Sequence, residues 1–283
     1  MVEEPARLRA ADRCRPVRRL FWLAAIGAFL AFCAAASAVY LVNDLTDLDA
    51  DRSHATKRHR PFASGALPLS WGVALAPVLG LVAILVAALL DVLPHLVLYG
   101  AASSLSSAVL KTLPLVDVFT LSAVYGLRMI AGGAASGHPV SKWLFAFSGF
   151  LFLGLALMKR VAELGARQGN GYVARRGYMG GDREMLALFG VASAFSAAIV
   201  LALFMQSATA EERFPSPLLL FGLGPLALFW LCRMWLSTAR GHMLEDPIVY
   251  AAKDWVSWLV VAAAVVLLLS ARSGLTSAST IAV

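Results

Sequence analysis

Residues 20–51 read Leu20-Phe-Trp-Leu-Ala-Ala-Ile-Gly-Ala-Phe-Leu-Ala-Phe-Cys-Ala-Ala-Ala-Ser-Ala-Val-Tyr40-Leu-Val-Asn43-Asp44-Leu-Thr-Asp47-Leu-Asp49-Ala-Asp51. No charge interrupts the run from Leu20 to Asn43. That is long enough for a helix to cross the ~30 Å of hydrocarbon in a bilayer. The run then breaks into carboxylates. If the helix continues through Asp51, the spacing 40, 44, 47, 51 puts Tyr40, Asp44, Asp47 and Asp51 on one stripe, with Asn43 beside them. Carboxylates stacked this way repel one another, and near hydrocarbon each costs several kcal/mol unless a cation accompanies it. Mg²⁺ answers both objections, because it accepts carboxylate and amide oxygens and is commonly shared with substrate phosphates.

The pattern of a long apolar run followed by a polar loop recurs along the chain. Of the 283 residues, 60% are hydrophobic and 14% charged, and mean hydropathy is +0.75. A soluble domain of this length carries far more charge. The sequence predicts an all-α, multi-pass transmembrane helix bundle of eight helices, at 20–44, 70–90, 92–110, 115–136, 141–164, 184–207, 216–241 and 253–271. The second and third are separated only by the Asp91/Pro94 region and form a tight hairpin. Small residues, as in Ala101-Ala102-Ser103-Ser104, allow close helix approach. The expected organisation is an arginine-rich N-terminal tail at 1–19, one membrane domain at 20–272 and a short tail at 273–283.

The net charge of +7 lies in loops between apolar runs, where it sets orientation and can hold phosphate, so nucleic acid is not an expected partner. Cys14, Cys33 and Cys232 have no paired spacing, and the latter two read as small packing residues. No cleavable signal peptide is expected, because the first apolar run ends in carboxylates. The long charged loops 47–68, 159–183 and 240–254 fall on one side together with Lys111. By the positive-inside rule that side is cytoplasmic, as on a bacterial inner membrane. The same alternation leaves Arg7, Arg9, Arg13, Arg15, Arg18 and Arg19 outside, against the usual bias.

After the carboxylates come Arg52, His54, Lys57, Arg58, His59 and Arg60, then Pro61-Phe62-Ala63-Ser64-Gly65. Bases directly after a carboxylate cluster suit a Mg²⁺–diphosphate, since they hold the phosphate oxygens that the metal does not reach. This whole stretch resembles the first aspartate-rich motif of the UbiA superfamily of intramembrane prenyltransferases. In its extension to K-R-x-R-P-x-A-S-G it is most similar to the branch containing decaprenyl-phosphate phosphoribosyltransferase. The resemblance implies that Asn43, Asp44, Asp47 and Asp51 hold Mg²⁺ and that Lys57 and Arg60 contact the diphosphate. Tyr40 and Arg58 are expected at the same mouth.

The resemblance covers nearly the whole chain from Leu20. It implies nine membrane helices with this motif after the second; here it follows the first. A helix ahead of Leu20 is therefore expected to be missing, and this chain to be a shortened form or one whose tail packs in that helix's place.

A second constellation begins at Lys159-Arg160-Val-Ala-Glu163 and runs through Arg167, Arg175 and Arg176 to Tyr178 and Asp182. Lys159 and Glu163, four apart, have the spacing of an ion pair. The family's second acidic motif has two aspartates four apart, often preceded by Tyr. Tyr178 and Asp182 match, but residue 186 is Leu. Lys159, Arg160, Tyr178 and Asp182 are expected substrate contacts. Within the fourth helix, Asp117, Tyr125 and Arg128 form a polar stripe, with Arg128 deep in an apolar run where a charge is functional by default. Lys111 is a candidate phosphate contact ahead of it. Asp246 and Lys253 are read as helping to close the site, with a capping role for Asp246 before Pro247 as the alternative.

The function implied is Mg²⁺-dependent transfer involving a polyprenyl lipid and a diphosphate leaving group. The favoured form passes phosphoribosyl from phosphoribosyl diphosphate to polyprenyl phosphate. The alternative passes prenyl from a polyprenyl diphosphate to an aromatic acceptor. Two further readings are a transporter, for which no paired half-repeats are found, and a catalytically silent relative.

Overall fold

The computed structural model describes residues 4–53, 57–165, 177–243 and 246–273, with side chains from Leu20 onward except at 50 and 57. The fold is all-α, 83% helical, and has no strand among the described residues. Among the described residues eleven α-helices follow one another: α1 Glu4–Thr46, α2 Leu48–Ser53, α3 Leu69–Leu89, α4 Leu93–Ala108, α5 Val116–Ala135, α6 Lys142–Gly165, α7 Asp182–Met205, α8 Ala208–Arg213, α9 Leu223–Ala239, α10 Pro247–Lys253 and α11 Trp255–Ser273. Short 3₁₀ turns occupy Lys57–His59, Leu110–Thr112 and Pro217–Gly222. Each of the eight expected membrane helices has its counterpart. Among the described residues seven segments are long and apolar enough to cross a bilayer: Leu20–Thr46 of α1, α3, α5, α6, α7, Pro217–Ala239 and α11. The eighth, α4, has only 16 residues, short of the roughly 20 that a spanning helix needs. Helical backbone also extends back through the arginine-rich start to Glu4.

The chain divides into two compact units. The first comprises Met1–Leu110 with Leu127–Val140, the second Lys111–Gly126 with Ser141–Val283.

In the first unit α1 packs along α3 and also meets α4. The α3–α4 hairpin turns at Asp91, which takes a left-handed backbone (φ 56°). The Val92 N–H reaches back to the Ala87 carbonyl at 2.9 Å. This is how a helix end satisfies its last carbonyls, and Asp is one of the few non-glycine residues that tolerate the conformation. Pro94 then starts α4 in its first turn, where its missing N–H costs nothing.

In the second unit the main packing is α6 against α7, and α9 packs on both α7 and α11. Its buried apolar cluster joins Leu155, Met158 and Val161 of α6 to Leu186 and Ala194 of α7 and to Met234 and Trp235 of α9. Arg233 of α9 grips Asp254 with two nitrogens at 2.5 and 2.9 Å. Asp254 also caps α11 by accepting the Ser257 N–H at 2.9 Å. Cys33 and Cys232, read as packing residues, instead lie on the surface of the chain.

Candidate functional site

The first-unit cluster is built on an almost unbroken helix. α1 ends at Thr46, Asp47 forms a turn, and α2 resumes at Leu48. Helical hydrogen bonds bridge the break, from Asp47 N–H to the Asn43 carbonyl at 2.9 Å and from Asp51 N–H to the Asp47 carbonyl at 2.8 Å. The expected register therefore survives. The Asn43 amide nitrogen donates to Ser107 Oγ of α4 at 3.0 Å, so the amide oxygen is the atom that a cation would take. Asp51 is 3% exposed, and Asp44 is partly open. Tyr40 is exposed on α1.

Arg60 completes the cluster. Its Nη1 lies 2.7 Å from Asp44 Oδ1 and 2.7 Å from Asp51 Oδ2. The 61–68 segment brings it there: the Ser64 N–H bonds the Arg60 carbonyl at 2.8 Å, and the Leu67 N–H bonds the Pro61 carbonyl at 3.1 Å. Phe62 anchors that turn in the core. Its ring sits against the bare face of Gly72 in α3, where an added Cβ would approach the ring at 2.9 Å and Leu45 at 3.2 Å. Arg58 is exposed. The side chain of Lys57 lies outside the described residues.

The family resemblance implies Mg²⁺ at this cluster. Among the described residues no group of three or more His, Cys, Asp or Glu side chains is placed to hold a metal ion by itself. Mg²⁺ does not require one. It is typically held by one or two carboxylates, with water and substrate phosphates completing the octahedron. Asp44, Asp47, Asp51 and the Asn43 amide offer hard oxygens, and two of the carboxylates already share one positive centre. The donor set fits a cation shared with a phosphate ligand.

Other first-unit expectations resolve differently. Arg128 has a polar partner, the Tyr99 hydroxyl at 2.5 Å, and its guanidinium lies over the Tyr99 ring at 4.9 Å. Tyr99 in turn meets Phe32 of α1 edge-on. The expected partner was an anionic group or a buried carboxylate. The Tyr99 hydroxyl and aromatic face lower the cost of a guanidinium at this depth.

The second unit holds a buried polar network. Arg160 Nη2 lies 2.5 Å from Asp117 Oδ2, and both side chains are 3% exposed. The Tyr178 hydroxyl donates to Asp117 Oδ1 at 2.5 Å and accepts the Leu115 N–H at 2.7 Å. Leu115 is in the left-handed region (φ 65°), a conformation costly for a bulky residue. Burial and the bond to Asp117 push the Tyr178 hydroxyl up to about 12. Gly177 (φ 68°) precedes it, and any Cβ there would collide with the Thr112 carbonyl oxygen. Arg160 and Tyr178, expected as substrate contacts, thus hold the 110–117 segment to α6.

The expected Lys159–Glu163 pair is not what forms. Glu163 pairs with Arg160, while Lys159 pairs with Asp246 at 2.7 Å. Asp246 also caps α10 by accepting the Ile248 N–H at 3.0 Å, the capping role weighed for it. Asp182 starts α7 and accepts the Met179 N–H at 2.8 Å. Leu186 stands where the family's second aspartate would fall; it is 3% exposed in the apolar core, where an unpaired carboxylate would be costly. Tyr125 stacks on Phe152 at 5.5 Å, and Lys111 is half-buried. Arg167, Arg175 and Arg176 lie outside the described residues. A mostly apolar cavity of about 820 Å³ is lined by second-unit residues that include Trp143, Phe147, Phe204, Trp230 and Trp258, with Arg213 among its few polar members.

The sequence model of the UbiA prenyltransferase family matches residues 14–279. The chain belongs to the UbiA prenyltransferase family. It is 35% identical over 240 residues to the nodulation protein NoeC of Azorhizobium caulinodans, covering 82% of this chain and 76% of NoeC. It is 37% identical over 238 residues to the protein y4nM of Sinorhizobium fredii, covering 82% of this chain and 46% of that protein. It is 40% identical over 153 residues to the decaprenyl-phosphate phosphoribosyltransferase of Mycobacterium tuberculosis, covering 53% of this chain and 50% of the enzyme. The chain thus spans about half the length of two of these three relatives. As a UbiA-family protein with seven helices fit to span a bilayer, it is an integral membrane protein.

Sequence reasoning passed over Ser107, Gly72 and Arg233. Only Arg233 left a signal, a charge inside an apolar run.

Proposed function

We infer that this UbiA-family protein transfers a phosphoribosyl group from phosphoribosyl diphosphate to a polyprenyl phosphate in a Mg²⁺-dependent reaction. The observation that carries this reading is the convergence of Asp44 and Asp51 on one nitrogen of Arg60, within a motif whose K-R-x-R-P extension resembles the phosphoribosyl-transferring branch. The partial identity to decaprenyl-phosphate phosphoribosyltransferases supports it.

In this reading a phosphate oxygen of the polyprenyl phosphate forms a bond to C1 of the ribose. The bond from C1 to the diphosphate breaks, and the diphosphate leaves with the electron pair. Asn43, Asp44, Asp47 and Asp51 would hold Mg²⁺, which would supply positive charge for a leaving diphosphate. Arg60 adds a charged donor to the same oxygens, and Lys57 is assigned there by the resemblance. The positive-inside bias of the charged loops supports a cytoplasmic side for the reaction.

The test is to incubate the purified full chain with Mg²⁺, polyprenyl phosphate and phosphoribosyl diphosphate, then weigh the lipid product by mass spectrometry. A lipid heavier by one phosphoribosyl group, absent when EDTA is added, is the expected result. A product formed only from a polyprenyl diphosphate and an aromatic acid would overturn it in favour of prenyl transfer.

A further inference from the structure

Arg60 Nη1 stands between two carboxylates that would otherwise repel each other. One nitrogen lies 2.7 Å from both Asp44 Oδ1 and Asp51 Oδ2, the separation of a strong charge-assisted bond. Asp51 is buried, so its charge requires a positive partner. Arg60 itself is 40% exposed, and it comes from the 57–68 loop, not from the helix that carries the acids. It therefore has more room to move than the buried Asp51. The loop is held beneath it by Phe62 in the core against Gly72 and Leu45, which gives the guanidinium a fixed pivot.

We propose that Arg60 is a cation place-holder that exchanges partners during each catalytic cycle. Before substrate arrives it neutralises Asp44 and Asp51, and so competes with a divalent cation for the same oxygens. When a diphosphate and its cation bind, Arg60 releases the carboxylates and turns to a phosphate oxygen, while the acids pass to the metal. A cation bound without diphosphate must displace Arg60 and leave it without a partner. A cation bound with diphosphate gives Arg60 a new anion. The exchange thereby couples metal binding to the presence of substrate and keeps buried Asp51 from facing solvent without a counter-charge. This rests on the reading of the cluster as a metal–diphosphate site.

The coupling has a signature of opposite signs. In the purified full chain, Arg60→Met should bind Mn²⁺ alone about tenfold or more tightly than the unaltered protein, because the competitor is gone. The same variant should bind inorganic diphosphate in the presence of saturating Mn²⁺ about tenfold or more weakly, because its donor is gone. Both are read without turnover, Mn²⁺ by the free-ion EPR signal and diphosphate by equilibrium dialysis. Arg272→Met removes the same charge from an exposed position on α11 and controls for general electrostatics; it should move Mn²⁺ affinity much less. Arg60→Gln provides a second variant if Arg60→Met does not fold, with the same two signs. Weakening of both affinities in a folded Arg60 variant, or an equal gain in Arg272→Met, overturns the place-holder. If neither the unaltered protein nor the variants bind Mn²⁺, with or without diphosphate, the metal–diphosphate reading of the cluster fails as well.

Discussion

Asp117 and Arg160 form an ion pair at 2.5 Å with both side chains almost fully buried. A pair of this kind is asymmetric under mutation. Removing one partner leaves an uncompensated buried charge, whereas replacing both with apolar groups of similar volume is often tolerated. Arg160→Ala should destabilise the protein by about 3–5 kcal/mol, and Asp117→Ala by less, because Glu163 still pairs with Arg160. Asp117→Leu combined with Arg160→Met should recover a large part of the loss. Thermal unfolding in detergent checks the series, and a double variant no more stable than either single one would count against the assignment.

The Tyr178 hydroxyl serves this pair and also the strained Leu115 backbone. Its value near 12 lies above the ordinary 10, so the folded state keeps its proton where the unfolded chain has lost it. The associated stability is complete below pH 10 and is lost as pH rises through 12. Absorbance titration should show one tyrosinate appearing only near pH 12, and Tyr178→Phe should remove it. The same substitution should cost about 1–3 kcal/mol by leaving the Leu115 N–H without its acceptor.

Asp44 and Asp47 are expected to be needed for activity without being needed for folding. Asp44→Ala and Asp47→Ala should each reduce transfer by about 100-fold or more, with unchanged chromatographic behaviour in detergent. Full activity in Asp44→Ala would contradict the proposed metal site.

Gly72 is required by the approach of Phe62, since the ring occupies the space of any side chain there. Gly72→Ala should shift the Phe62 anchor and, with it, Arg60. The expected outcome is a loss of diphosphate affinity larger than the loss of thermal stability. Gly72→Ala combined with Phe62→Leu should restore part of the affinity, which binding measurements on both variants would reveal.

Much of this architecture was readable from the chain because hydrocarbon imposes a local rule. A backbone in lipid must satisfy its own hydrogen bonds, so each crossing is a helix and appears as a continuous apolar run. The stripe of Tyr40, Asp44, Asp47 and Asp51 was equally legible, because the helical period is local, and the small break at Asp47 does not disturb it. The partners of charged groups were not legible. Spacing alone suggested Lys159 with Glu163; the structure pairs Lys159 with Asp246, 87 residues away, and Arg160 with Asp117. Neighbouring residues on a helix point about 100° apart. The packing of α6 on its neighbours turns Arg160 inward and leaves Lys159 beside α10. The meeting of Asp44, Asp51 and Arg60 has the same origin. Local sequence placed the acids on one face, but only the fold of the 61–68 turn, anchored by Phe62 on Gly72, brought the guanidinium between them. Helix identity follows from short-range rules of solvation and hydrogen bonding. Pairing across the bundle depends on the rotation and depth of each helix, which are set by close packing between residues distant in the chain.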